Sequence, residues 1–370
     1  MVAITTAYSS TAYLNLASSG SSAAAATMAA ATTPAPAVAT SSAATSITLS
    51  EAARAALATK DFPTVVAEAR GKLDALLQEA DRTSPIENKA LALDLSSLDP
   101  RELYAMASDA GFTADEQSAA ALEMQRRLES ALAGPAAIAD VTGNYAGLYK
   151  AAAAYLDSLG SEEKQGADWI AGRAAVTDGL KQVQADPRTL PDAGGADPVA
   201  LYLALREAGQ TTQPATIEDT ATGMRKALDT LYASAIKAGK VPTFNKQTTI
   251  GTYIDMAQFD SRSLSAIVLD KTAQFSSDEV KAAKDTLHAK SGAALLAGFQ
   301  SAAKSSDPTA FSQNIISIYA SMSQEERSAA GWSESFYQAA VDSYQSTSKL
   351  TQMFAEAGGS STGFLSWMGK

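Results

Sequence analysis

The sequence predicts an all-α protein: two related helical domains from an internal duplication, preceded by a disordered Ala/Ser/Thr-rich N-terminal tail. Three observations predict it. Hydrophobic residues make up 46% of the 370 positions, yet aromatics are only 7% and alanine carries much of the apolar share. That composition suits close packing of helices and disfavours sheet, so almost no strand is expected. Apolar residues recur at three- and four-residue spacing, as in Leu103, Met106 and Ala107 or Leu148, Tyr155 and Leu159, the stripe of a helix facing a core. Finally, the chain matches itself in five segments that keep the same order.

Residues 1–47 hold no Asp, Glu, Lys, Arg or His and almost nothing large to bury, so ordering entropy is expected to win and leave a disordered tail. The opening MVAITTAYSSTAYLNLASSG has neither the basic region nor the compact apolar region of a Sec signal, and no Sec export is expected. The longest apolar run, AAAATMAAA at 23–31, is too short to cross a bilayer. Order is expected from Thr48, where Thr48 and Glu51 form a capping box ahead of the helix-forming run AARAALA. This stretch, SITLSEAARAAL, resembles the short helix openings of some bacterial flagellar regulatory and export-related proteins. The likeness covers about a dozen residues and implies no fold beyond a capped helix.

The repeat then unfolds in order. ARGKLDALL (69–77) matches MRKALDTLY (224–232), and Asn88-Lys89 matches Asn245-Lys246. LDLSSLDPRELYA (93–105) matches IDMAQFDSRSLSA (254–266), GFTADEQSAA (111–120) matches QFSSDEVKAA (274–283), and LGSEEKQGADW (159–169) matches MSQEERSAAGW (322–332). Five ordered matches are read as a duplication of roughly 120 residues with small insertions. Copy A with its leading helix is placed at 48–184 and copy B at 215–350, each with four or five helices. The intervening 185–214 is rich in Pro and Gly and should be linker with one short helix around Val199 to Ala208. The last helix fades near Ala357, leaving 351–370 as a tail with an apolar end.

What the copies share is mostly helix punctuation. Thr113 with Glu116 and Ser276 with Glu279 read as capping boxes, Asp99 and Asp260 as N-caps with Arg101 and Arg262 just inside. Glu163 and Glu326 follow Gly160 and Ser323 at first-turn positions favoured by the helix dipole. Trp169 and Trp332 end the matched stretch and are expected to anchor packing. At the C-terminus, Phe364, Leu365, Trp367 and Met368 follow a Gly/Ser stretch. They are candidates for docking a partner, or for folding back on their own domain.

Several chemistries are excluded. No cysteine and one histidine, His288, leave no disulfide, thiolate nucleophile or Cys-based zinc site. His288 sits in a helical run without a second His or Cys to work with, and reads as a surface histidine. The G-x-S-x-G pattern at 359–363 has no strand before it and no histidine after it. S-x-x-K occurs four times without its companion motifs, as expected by chance in a Ser-rich chain. Phosphate loops and EF-hand loops are missing from the sequence. No cofactor or metal is therefore expected. A net charge of −11 opposes a phosphate backbone, so nucleic acid is not an expected partner.

Carboxylates remain. Asp94 and Asp255, with Asp99 and Asp260, recur in both copies and are the best candidates for paired acid/base work. Capping and pairing with Arg101 or Arg262 is the structural reading of the same residues. The function read from these features is a non-enzymatic interaction or structural protein that binds another protein. It would be exported from a bacterial cell by a flagellar or type III-like route or held in the cytoplasm. A cytosolic helical adaptor or regulator and a carboxylate-dependent hydrolase acting between the halves are the alternatives.

Overall fold

The computed structural model describes residues 60–356, with side chains to Met353. The tail at 1–47, the Thr48–Glu51 box and the apolar residues 364–368 lie outside the described residues.

Local chemistry accounts for the helix ends. Asp61 caps α1 (Phe62–Ala80) by accepting from the Thr64 amide at 3.2 Å. Asp99 caps α2 (Pro100–Ser108) in a full capping box with Glu102, and Pro100 takes the first helical position, where its missing N–H is harmless. Thr113 and Glu116 form the box that opens α3 (Ala114–Thr142). After α4 (Ala146–Ser158), a single 3₁₀ turn (Glu163–Gln165) leads into α5 (Ala167–Ala185). The short helix of the connecting region is α6 (Pro198–Glu207), capped by Asp197.

The second half follows the same order. α7 (Ile217–Lys237) is capped by Thr216, and α8 (Ser261–Leu269) by Asp260 through the Ser263 amide at 2.7 Å. The Ser276–Glu279 box opens α9 (Ser277–Ala303), which is followed by α10 (Ala310–Ser321). Ser323 and Glu326 box α11 (Gln324–Ala330), and α12 (Glu334–Glu356) ends the described chain.

Among the described residues strand is confined to four segments of two or three residues, in line with the expectation of almost none. β1 (Ile86–Glu87) and β2 (Ala90–Leu91) form an antiparallel hairpin with Ile86 opposite Leu91. Its two-residue turn is Asn88-Lys89, both at positive φ (52° and 64°), the backbone that tight hairpins require. β3 (Val241–Thr243) and β4 (Gly251–Tyr253) pair in parallel. The matched Asn245-Lys246 does a different job, since the Asn245 side chain accepts from the Gln247 amide inside the β3–β4 connection. These strands are too short to leave an alternating pattern in the sequence.

Four main cores hold the molecule. Leu73, Leu95, Leu103, Met106 and Ala119 form one, under α1, α2 and the start of α3. Leu132, Leu148, Tyr149, Val176 and Tyr202 form a second, between α3, α4, α5 and α6. Leu228, Ile254, Met256, Leu264 and Leu287 form the third in the second half. The fourth joins the halves: Ala137 of α3 packs with Ile315 and Ile316 of α10 and with Ala340 and Val341 of α12. Here Gly134 is obligatory, because a Cβ would sit 2.2 Å from Ser317 Oγ and 2.9 Å from its carbonyl oxygen. Absence of a side chain lets the two backbones approach.

Matched residues make matched contacts. Arg70 bonds Glu116 at 2.7 Å with its guanidinium 4.0 Å from the Phe112 ring centre, and Arg225 bonds Glu279 at 2.8 Å beside the Phe275 ring at 5.6 Å. Leu73 and Leu228, and Leu103 and Leu264, are fully buried. Arg101 donates to the Lys60 carbonyl and Arg262 to the Ala215 carbonyl, each the residue just before the cap of the first helix of its half.

Candidate functional site at the seam between the halves

Charged groups gather where the halves meet. Glu123 of α3 is buried and accepts from Arg126 at 2.7 and 2.8 Å and from Arg127 at 2.7 Å. Arg127 also reaches the Leu95 and Leu98 carbonyls at 3.0 and 2.8 Å, fixing the loop that carries Asp94. Asp94 itself is half-buried, and its Oδ1 accepts from the Ser96 amide at 2.9 Å.

The electrostatics cross the seam. Burial, and next the charge of Asp260 from the other half, push the Asp94 carboxyl above its ordinary value, with Glu123 adding to the effect. Burial works against ionisation of Glu123 too, but the hydrogen bond and charges of Arg126 and Arg127 outweigh it and hold that carboxyl low. Arg126 is kept protonated despite burial by Glu123, Asp94 and Glu326. One guanidinium thus sits among carboxylates drawn from both halves.

The expected pairing is therefore rearranged. Matching sets Asp94 against Asp255 and Asp99 against Asp260, whereas the fold brings Asp94 into the field of Asp260. Asp255 stands apart, capping a 3₁₀ turn (Met256–Gln258) through the Ala257 amide at 2.9 Å. Asp99 remains with Glu102 at the start of α2. Trp169 donates from Nε1 to the Leu156 carbonyl at 2.9 Å, and Trp332 packs edge-on against Phe336 at 5.2 Å. His288 lies exposed on α9.

A second acidic feature escapes sequence reasoning. Glu163 is buried with Oε2 lacking a hydrogen-bond partner among the described residues, and burial pushes its carboxyl up to about 8, against the charge of Lys164. Its counterpart Glu326 bonds the Ser323 amide at 2.8 Å. In the first half that position is Gly160, where a Cβ would come within 2.9 Å of Arg101 Cγ. Arg101 runs across it to pair with Glu162, whose carboxyl it holds down at about 2. Substitution of Gly for Ser at the cap was the available signal.

Two surface grooves lie away from this cluster. One, of about 440 Å³, runs between α1 and α7 and is lined by Gln78, Glu79, Lys226 and Asp229. The other, of about 340 Å³, lies between α7 and β4 and is lined by Leu231, Ala235, Tyr253, Ile254 and Asp255. Among the described residues no helix is long and apolar enough to cross a membrane, and no group of three His, Cys, Asp or Glu is placed to hold a metal ion. The chain matches no protein-family model, no curated protein and no solved structure.

Proposed function

We propose that this chain is a non-enzymatic interaction or structural protein, built from one helical unit written twice, whose contacts are made to another protein. The observation that carries the reading is the aliphatic surface beside the α7–β4 groove. Val241 pairs with Gly251, which sets Val241 and Ile250 near one another at the start of the paired strands, and both are exposed, Ile250 to 88%. Large aliphatic side chains gathered on one surface mark contact sites in soluble proteins. β3 and β4 form a two-stranded sheet, so each strand keeps an open edge. An extended apolar segment of a partner protein suits such an edge, with its backbone extending the sheet and a side chain entering the groove.

The duplication is supported by the matched Arg–Glu–Phe contacts and by the shared order of helices in the two halves. The uncharged leader at 1–47 supports export by a flagellar or type III-like route from a bacterial cell. A cytosolic adaptor would share the body but stay inside.

Two measurements test this. Val241→Asp with Ile250→Asp should weaken binding of a co-purified protein partner at least tenfold without lowering the melting temperature; unchanged affinity sinks the docking assignment. Deleting residues 1–47 should abolish appearance of the protein in culture supernatant. Equal export of both forms, or none of the full chain, removes the export reading and leaves the adaptor.

A further inference from the structure

In the first half, one stripe of α3 is covered by the chain that follows α5. The Thr212 amide donates to Glu129 at 2.6 Å and Arg206 pairs with Asp140 at 2.7 Å. Between these ends, Val199 and Tyr202 of α6 are buried in the same core as Leu132 and Ala136. The covered stripe is thus Glu129, Ala133, Ala136 and Asp140, one face of the helix.

Trp169 and Trp332 are 163 positions apart, and the same offset carries that stripe onto Gly292, Leu296, Phe299 and Ala303 of α9. All four are exposed. Where Ala136 is 0% exposed, Phe299 is 56%, and its neighbour Leu296 is 57%. Large apolar side chains stand in water at the positions that lie beneath a helix in the first half.

Continued past the tryptophans, the offset sets Leu201-Tyr202-Leu203-Ala204-Leu205 against Phe364-Leu365-Ser366-Trp367-Met368. Buried Tyr202 falls on Leu365. We propose that residues 364–368 of this chain cover Leu296 and Phe299 on α9 as α6 covers Ala133 and Ala136 on α3. The seven residues from Ala357 to Gly363 join that segment to α12, and can span up to about 25 Å. The inference rests on the duplication reading given above.

Photo-crosslinking in the full chain tests it, with benzoylphenylalanine replacing either Tyr202, buried against Leu132 and Ala136, or Leu365, and a mixture of light and heavy chains to separate internal from intermolecular products. Label at 202 should attach to α3 between Glu129 and Asp140. Label at 365 should attach within the same chain between Gly292 and Ala303, with a yield that falls at least tenfold in Phe299→Glu. Attachment of the 365 label elsewhere, only between chains, or not at all overturns the docking while the 202 product leaves the correspondence of the halves standing. Attachment of the 202 label outside α3 would instead strike the first-half arrangement on which that correspondence depends.

Discussion

Tyr149 donates a 2.5 Å hydrogen bond to Asp197, joining the first turn of α4 to the cap of α6 inside a buried site. Asp197 is 2% exposed and its other oxygen accepts from the Val199 amide. Tyr149→Phe removes one of two partners from a buried carboxyl, which should destabilise the fold by about 1–3 kcal/mol. Urea denaturation measures the loss, and hydrogen exchange should localise it to Val199–Glu207.

Glu163 should make stability fall with rising pH. Its folded value of about 8 lies above the 4.5 of an ordinary glutamate. The neutral form is therefore the one the fold favours: its contribution is complete below about 4.5 and is lost as the pH climbs through 8. Glu163→Gln should be close to neutral at pH 5 and should stabilise by about 2–5 kcal/mol at pH 9. Equal melting temperatures of the two proteins at pH 9 would show that the buried carboxyl finds a partner.

At the seam the same sign applies to Asp94, whose raised carboxyl favours folding when protonated and opposes it once ionised. Asp94→Asn should raise stability at pH 7 relative to pH 4, whereas Asp260→Ala should lower it by about 1 kcal/mol through loss of the N-cap of α8. Loss of an enzymatic activity in Asp94→Asn, with its melting curve unmoved, would instead favour the hydrolase reading.

Gly134→Ala should destabilise by about 1–3 kcal/mol, since the added methyl meets a backbone carbonyl that cannot swing aside. The control is Gly147→Ala, where a Cβ meets nothing within 4 Å. Denaturant midpoints of the two variants provide the comparison.

Arg70→Ala and Arg225→Ala should each destabilise, by about 1–3 kcal/mol, because both remove the cationic partner of a buried glutamate. Glu116 keeps only the Thr113 amide, whereas Glu279 keeps the Ser276 amide and the Tyr232 hydroxyl, so the loss at Arg225 should be the smaller. Urea midpoints of the two variants give the comparison, and a larger loss at Arg225 would overturn this ordering.

Features that depend on residues three or four apart were legible in the sequence. The boxes of Thr113 with Glu116 and Ser276 with Glu279 are of this kind, as is the Asp260 cap. Contacts set by tertiary placement were not. Nothing local brings Asp94 into the field of Asp260, and alignment of the halves points each toward a different carboxylate. Glu163 resembles Glu326 in sequence, and only the path of Arg101 over Gly160 explains why it lost its amide partner. The β1–β2 hairpin left no local signal because its turn residues at positive φ, Asn88 and Lys89, include no glycine.

α3 runs for 29 residues, about 43 Å. Its first turns feed Ala119 into one core, its middle feeds Leu132 into another, and its last turns bring Ala137 against α10 and α12. Melting of its last turns strips Ala137 from α10 and α12 and so loosens the second half. The consequence is thermodynamic coupling of the halves: denaturation should follow a single sigmoid whose slope reflects the surface of the whole folded body, not two transitions of half that steepness.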